Sequence, residues 1–124
     1  MPTPNEHLSQ ARHNERLANQ LVNENPPRFL DWVLTVAFYS ALHYVKYLRA
    51  CCGLLVGTSH DDVDQYFTMP ELRALHRCYR GMKDDSRDAR YNCLMPTPVD
   101  AEDCLQNRLV QIREHILQLH PPVP

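Results

Sequence analysis

A single histidine, His43, lies within the most apolar run of the chain, VAFYSALHYVKYLRACC at residues 36–52. An imidazole can transfer a proton near neutral pH, bind a metal ion, or donate and accept hydrogen bonds within a core. His43 is therefore a candidate catalytic or binding residue. The alternative is a core histidine whose ring nitrogens are satisfied by a tyrosine or a backbone carbonyl.

A second polar cluster is DDSRDARYN at residues 84–92. It places Ser86, Arg87, Arg90 and Tyr91 within six positions. Two guanidinium groups beside a hydroxyl and a phenol are suited to binding a phosphate, a carboxylate or a buried acid. Alternatively, the arginines pair with the neighbouring aspartates and the segment is a polar connection. The sequence leaves both interpretations open.

A third candidate is His60 in the sequence GTSHDD, which precedes a predicted helical turn. The dipole at a helix start favours a neutral imidazole there. The alternative is an ordinary residue of a first turn.

Other chemistries lack a supporting pattern in this sequence. It contains no GxSxG motif and no phosphate-binding loop. His76 and Cys78 are two positions apart, a poor spacing for two ligands on one helix. Cys51 and Cys52 are adjacent and do not comfortably share one ion. We therefore predict neither a metal site nor a cofactor.

The composition predicts one globular domain that spans residues 1–124, with a core at about 5–119. A net charge of −2 argues against coating of nucleic acid by positive charge alone, but permits a local basic patch. The start, MPTPNEH, does not resemble a signal peptide, and the longest apolar run is too short to cross a bilayer. Five cysteines without paired spacing predict reduced thiols in the cytoplasm.

The proline positions predict a helical protein, because they separate segments of helical periodicity. Three capping boxes begin helices, at residues 3–6, 68–71 and 97–100. The predicted helices cover about 4–23, 27–52, 68–82 and 97–119, with a short turn at 61–67 that Ser59 caps through Asp62. Residues 83–95 are predicted to be a polar and then irregular connection. The apolar seam of the last helix is Leu105, Leu109, Ile112, Ile116 and Leu119. We predict an all-α fold, a four- to five-helix up-and-down bundle.

The second helix is predicted to bury two faces. The aliphatic face comprises Leu30, Leu34, Ala37, Phe38, Ala41, Val45 and Leu48. The opposite, aromatic face comprises Trp32, Val36, Tyr39, His43, Tyr47 and Ala50. Only a narrow solvated edge remains, formed by Asp31, Thr35, Lys46 and Arg49. Because a small bundle normally buries one stripe of each helix, the aromatic face predicts a further partner. We expect a homodimer through its Trp32, Tyr39 and His43.

The segments FYSALHYVKYL and SRDARY, followed by an amphipathic helix, resemble the small HEPN-like helical proteins of prokaryotes. The resemblance extends over about residues 7–118. It implies a helical bundle that dimerises, with a polar cleft near the dimer interface. Many such proteins are metal-independent ribonucleases of toxin–antitoxin and defence systems, and others are binding or interaction modules. The ribonucleases carry an arginine and a histidine with four to six residues between them, and Arg108 and His115 match that pattern with six intervening residues.

Leu109 follows Arg108 where the family has a polar residue, and Val63 stands where we expect an arginine three residues after His60. These departures leave three hypotheses open. The first is a metal-independent endoribonuclease or RNA-binding toxin-like protein, with His43 or His60 as general base and Arg87 and Arg90 stabilising the phosphorane. The second is a non-catalytic dimeric module that binds a nucleotide, a small anion or a protein such as an antitoxin in the same cleft. Further binding residues are Tyr39, Ser86, Tyr91, Arg108 and His115. The third is a buried polar network that only fixes helix packing.

Overall fold

The computed structural model describes residues 2–54, 56–57, 63 and 65–123. Its elements are α1 (Pro4–Val22), α2 (Leu30–Cys51), a 3₁₀ turn (Tyr66–Thr68), α3 (Pro70–Arg73), α4 (His76–Tyr91), α5 (Pro98–Asp103), a π turn (Cys104–Arg108) and α6 (Leu109–Leu119). The last three are continuous and are called the C-terminal helix below. Within the described ranges there is no strand, and the all-α prediction is confirmed.

The four long helices alternate in direction, as in an up-and-down bundle. Helices α1 and α2 are antiparallel: Ser40 meets Ala11, while Tyr47 lies near Asn5. From the start to the end of α2, the residue numbers of its partners decrease on α4 and increase on the C-terminal helix. Leu34 lies near Asp88 and Asp100, Phe38 packs on Tyr79, and Tyr47 bonds to His120. Helix α4 is thus antiparallel and the C-terminal helix parallel to α2.

Helix α2 is the centre of the bundle and contacts α1, α4 and the C-terminal helix. All residues of its predicted aliphatic face are buried. Burial extends further around the helix, to Val33, Leu42 and Tyr44. These residues pack because three helices surround α2, whereas a helix at the edge of a bundle buries a single stripe.

The predicted solvated edge of α2 is wrong at Thr35, which is only 2% exposed. Its hydroxyl donates to the Asp31 carbonyl at 3.0 Å, so the polar group is satisfied inside the helix and can be buried. Asp31, Lys46 and Arg49 are partly exposed. The helix starts at Leu30, three residues later than predicted.

The capping boxes at Thr3 and Thr97 are confirmed. Glu6 and Asp100 each donate a backbone N–H to the threonine hydroxyl at 3.2 Å, and their carboxylates accept the threonine backbone N–H. The box at Thr68 is wrong, because that hydroxyl donates to the Gln65 carbonyl at 2.9 Å. The predicted cap at Ser59 and Asp62 lies outside the described residues.

The predicted third helix is wrong at both ends. Only α3 forms near its start, the chain turns at residues 74–75, and α4 then continues to Tyr91 through the segment predicted as a connection. The buried side of α4 consists of Tyr79, Met82, Lys83, Ser86 and Ala89. Ser86 and Ala89 continue this buried stripe of α4. Because serine is polar and alanine is small, a search for large apolar residues at helical spacing does not identify this part of the stripe.

The C-terminal helix packs through Leu105, Leu109, Ile112 and Ile116, which are buried as predicted. Leu119 is 43% exposed, so the predicted seam ends one turn earlier. Ala101, Leu105 and Leu109 are spaced by four residues, and all three are buried. The π turn has more residues per turn than an α-helix, so successive steps of four residues stay on the same side of the helix there.

All five cysteines are free thiols. Across residues 2–54, 56–57, 63 and 65–123, no helix combines the length and apolar character that crossing a bilayer would require.

Candidate functional site

Two histidines meet where α1 crosses α2. The Nδ1 atoms of His7 and His43 lie 3.2 Å apart, and the ring centroids are separated by 5.5 Å. That centroid separation is close to the longest that this nitrogen distance permits, so the rings meet end to end. Since a hydrogen bond needs one donor and one acceptor, a single proton lies between the two nitrogens.

Both rings are held in the neutral form at neutral pH. Burial, followed by the charges of Lys46 and His7, lowers the pKa of His43 to about 4. Burial and the Lys46 charge also lower the pKa of His7, against a smaller opposite effect of Glu6. His7 is 3% exposed, whereas His43 is partly exposed. The pair is thus a neutral, directional polar group rather than a positive charge.

An open depression of about 680 Å³ lies over this pair. The α1 side chains around it include Glu6, Ser9, His13 and Arg16, which share one face of the helix because they are spaced by three and four residues. Arg16 and His13 are exposed. Three imidazoles, of which those of His7 and His43 are neutral, therefore surround a space large enough for a small ligand, together with one guanidinium and other hydrogen-bonding side chains.

Tyr39, one turn before His43, joins a second polar cluster. Arg90 donates from Nη1 to the Tyr39 hydroxyl at 2.7 Å and from Nε to the Ser86 carbonyl at 3.3 Å. Its guanidinium carbon lies 5.6 Å from the Tyr39 ring centroid and 5.2 Å from that of Tyr91. Ser86 is fully buried and donates to the Lys83 carbonyl at 3.0 Å. Residues from the two sequence segments of the HEPN-like resemblance are therefore in direct contact.

Of the remaining candidates that the structure describes, only Tyr91 touches this cluster, through the contact of its exposed ring with Arg90. Arg87 is exposed, and Tyr91 is 72% exposed with its ring against Arg90. His60, a predicted catalytic residue, lies outside the described residues.

Arg108 and His115 are bound to different parts of the chain. Arg108 forms ion pairs with Asp85 at 2.7 Å and Asp103 at 3.2 Å. His115 donates from Nε2 to the Glu71 carbonyl at 2.9 Å. These contacts connect the C-terminal helix to α4 and α3, and no described contact joins the two residues to each other.

Much of the aromatic face of α2 is covered by the chain itself. Tyr39 bonds to Arg90, His43 bonds to His7, and the Tyr47 hydroxyl donates to the His120 carbonyl at 2.6 Å. Burial, followed by Cys51, raises the pKa of Tyr47 to about 12. Trp32 is the exception, with 52% of its surface exposed. The face therefore has partners within the monomer that the sequence analysis did not identify.

His7 is the site residue that the sequence analysis missed. It precedes Ala11 by four residues and Ala18 by eleven, so it belongs to the buried stripe of α1. A buried histidine needs a polar partner, and His43 is the histidine that interrupts the apolar run of α2. Two histidines within apolar stripes of neighbouring helices were therefore the sequence signal that could have identified His7.

Among the described residues, no three His, Cys, Asp or Glu side chains come together as a metal ion would require. Comparison of the chain with protein-family models, with curated proteins and with solved structures finds no match.

Proposed function

We propose that this protein is a HEPN-like helical module that binds RNA or a nucleotide in the depression over His7 and His43. The observation that carries the proposal is the neutral histidine pair beneath an open, polar space edged by Arg16. Imidazole rings stack on bases and form hydrogen bonds with them, and guanidinium groups bind phosphates. A role within a toxin–antitoxin or defence system is part of the same proposal.

Binding has more support than cleavage. A general base works best when its pKa lies near the working pH, and the pKa of His43 is about 4. Of the arginines proposed to stabilise a phosphorane, Arg90 is bonded to Tyr39 and Ser86, and Arg87 makes no described contact with the pair. Hydrogen-bonding groups thus line the depression, whereas Arg87 and Arg90, among the described catalytic candidates, are not part of its lining.

Fluorescence anisotropy with short fluorescein-labelled single-stranded RNAs tests this proposal. Arg16→Gln and His43→Gln should each weaken binding about fivefold or more, because each removes a group that lines the depression. Arg28→Gln is the matched control, since Arg28 is exposed in the loop after α1 and pairs with Glu24. Equal affinity of wild type and Arg16→Gln, or the absence of binding to RNA and to AMP alike, would contradict the proposal.

Cleavage is examined on the same RNAs in the presence of EDTA. We expect bound RNA to remain intact on a denaturing gel. Wild-type cleavage that disappears in His43→Gln would instead support the metal-independent endoribonuclease.

A second candidate function, a dimeric interaction module without enzymatic activity, is favoured by one observation. Trp32 and Phe29, near the start of α2, are 52% and 41% exposed. Large aromatic side chains at the surface are typical of protein interfaces. This function is compatible with ligand binding at His43, more than three turns further along α2.

A further inference from the structure

The single proton between His7 and His43 can be placed in two ways. If His7 carries its proton on Nδ1, His43 accepts through Nδ1 and carries its own proton on Nε2. If His43 donates from Nδ1, its Nε2 is a bare acceptor and His7 carries a proton on Nε2. Since the Nδ1 of His43 is occupied by His7, Nε2 is the nitrogen left for a ligand. The placement therefore decides whether His43 offers a donor or a base.

The surroundings of His7 separate the two arrangements. Its Nε2 is inaccessible to solvent and has no hydrogen-bonding partner within the described part of the chain. Buried N–H groups without a partner are rarer in proteins than buried acceptors that lack one. A bare Nε2 is thus the more favourable state for His7, which places the His7 proton on Nδ1.

We propose that His43 carries its proton on Nε2, presents an N–H donor to the depression, and there binds a phosphate group of the ligand. This inference rests on the proposed function and specifies which part of a nucleotide or RNA the site recognises. His7 is then a positioning residue, because it acts on the ligand only through the tautomer of His43.

Two cations near the pair favour an acceptor-only ligand, whereas the Glu6 carboxylate is the one negative group among the described residues that line the depression. Arg16 lines the depression, and Lys46 is close enough to lower the pKa of both histidines. The carboxylate of Glu6, which also lines the space, accepts the Thr3 backbone N–H at 3.0 Å. A phosphate oxygen accepts hydrogen bonds from N–H groups and is attracted by both cations. A ligand group that must donate a hydrogen bond finds no acceptor at the Nε2 of His43.

Long-range ¹H–¹⁵N NMR spectra of the full ¹⁵N-labelled chain at pH 7.5 test the tautomers directly. We expect a protonated Nε2 and a bare Nδ1 for His43, and the reverse for His7. The opposite pattern, or a rapid mixture of the two, would overturn the inference whether or not any ligand binds.

Titration of the same sample with inorganic phosphate, AMP and adenosine tests the ligand group. We expect phosphate and AMP, but not adenosine, to shift the His43 Nε2 signal. An equal shift with adenosine would overturn the phosphate assignment and leave the proposed function standing. Binding of none of these probes or of RNA would overturn the proposed function and the phosphate assignment together, while the tautomer result would stand by itself.

Two substitutions of similar size separate positioning from mere packing. His7→Asn keeps an amide N–H near the place of Nδ1, whereas His7→Gln places its amide N–H near the place of Nε2. We expect His7→Asn to retain AMP affinity within about twofold and His7→Gln to lose about fivefold, with both folded by circular dichroism. Equal affinities for the two folded variants would show that His7 does not act through His43.

Discussion

At the residue scale, the histidine pair gives the protein a pH-dependent stability. The pKa of His43 is about 4 in the folded chain, against an ordinary value of 6.5. Between these values the unfolded chain binds more protons, so acid favours unfolding. Above about pH 6.5, His43 is neutral in both the folded and the unfolded chain, and the free energy of unfolding no longer depends on its titration. The lowered pKa of His7 makes acid destabilise the fold in the same way.

We therefore expect the unfolding free energy to fall by roughly 1 kcal/mol between pH 7 and 5, after allowance for the partial exposure of His43. Urea unfolding followed by circular dichroism measures it. Glu6 and Asp100 also have lowered pKa values, but they change the unfolding free energy only below their ordinary pKa values of 4.5 and 3.8, and so not between pH 7 and 5. His43→Gln should flatten the dependence, and the exposed control His76→Gln should not. An equal slope in all three proteins would contradict the expectation.

At this scale the sequence predicted the unusual residue but not its partner. His43 stood out because it interrupts an apolar run, and Tyr39 and Arg90 stood out by residue type. Which atoms meet was not predictable, because the bonds from His7 to His43 and from Arg90 to Tyr39 cross 36 and 51 positions of the chain. Such contacts depend on how three helices pack. Local periodicity carries no information about that packing.

At the element scale, two glycines differ in what a methyl group would do. Gly81 lies inside α4, where an added Cβ would be 3.1 Å from the Arg108 Nη1 atom. That atom is the end of a flexible side chain and can shift while still pairing with Asp85. Because alanine is the better helix former by about 1 kcal/mol, Gly81→Ala should stabilise the protein by roughly 0.5 kcal/mol.

Gly53 provides the contrasting case, with a φ of +71° and no atom near an added Cβ. Gly53→Ala should destabilise the protein by about 1 kcal/mol, because an L side chain is strained there. Thermal unfolding of both variants measures the difference in sign. A loss of stability in Gly81→Ala would mean that the guanidinium of Arg108 is held rigidly.

Helix boundaries were predictable where local chemistry determines them. The Thr3 and Thr97 caps depend on residues three positions apart, and both were predicted. The extension of α4 depends instead on burial of Ser86 and Ala89 against neighbouring helices. A serine or alanine becomes a core residue only through such packing, so the sequence alone did not reveal it.

At the scale of the whole molecule, exposed Trp32 predicts self-association. We expect a dimer by multi-angle light scattering at about 100 µM protein, and Trp32→Glu should weaken it by about tenfold or more, because a charge replaces an aromatic contact. Leu17→Glu, at an apolar position of similar exposure on α1, is the control. A monomeric wild type would contradict the predicted dimer. Equal weakening in both variants would contradict the assignment to Trp32.

The surrounded position of α2 also determines how the molecule can come apart. Helices α1, α4 and the C-terminal helix all pack on it, so α2 cannot detach while they remain in place. The short α3 and the ends of the bundle can open separately. The amide protons in the middle of α2 should therefore exchange with solvent only through global unfolding, which makes them the slowest in the protein.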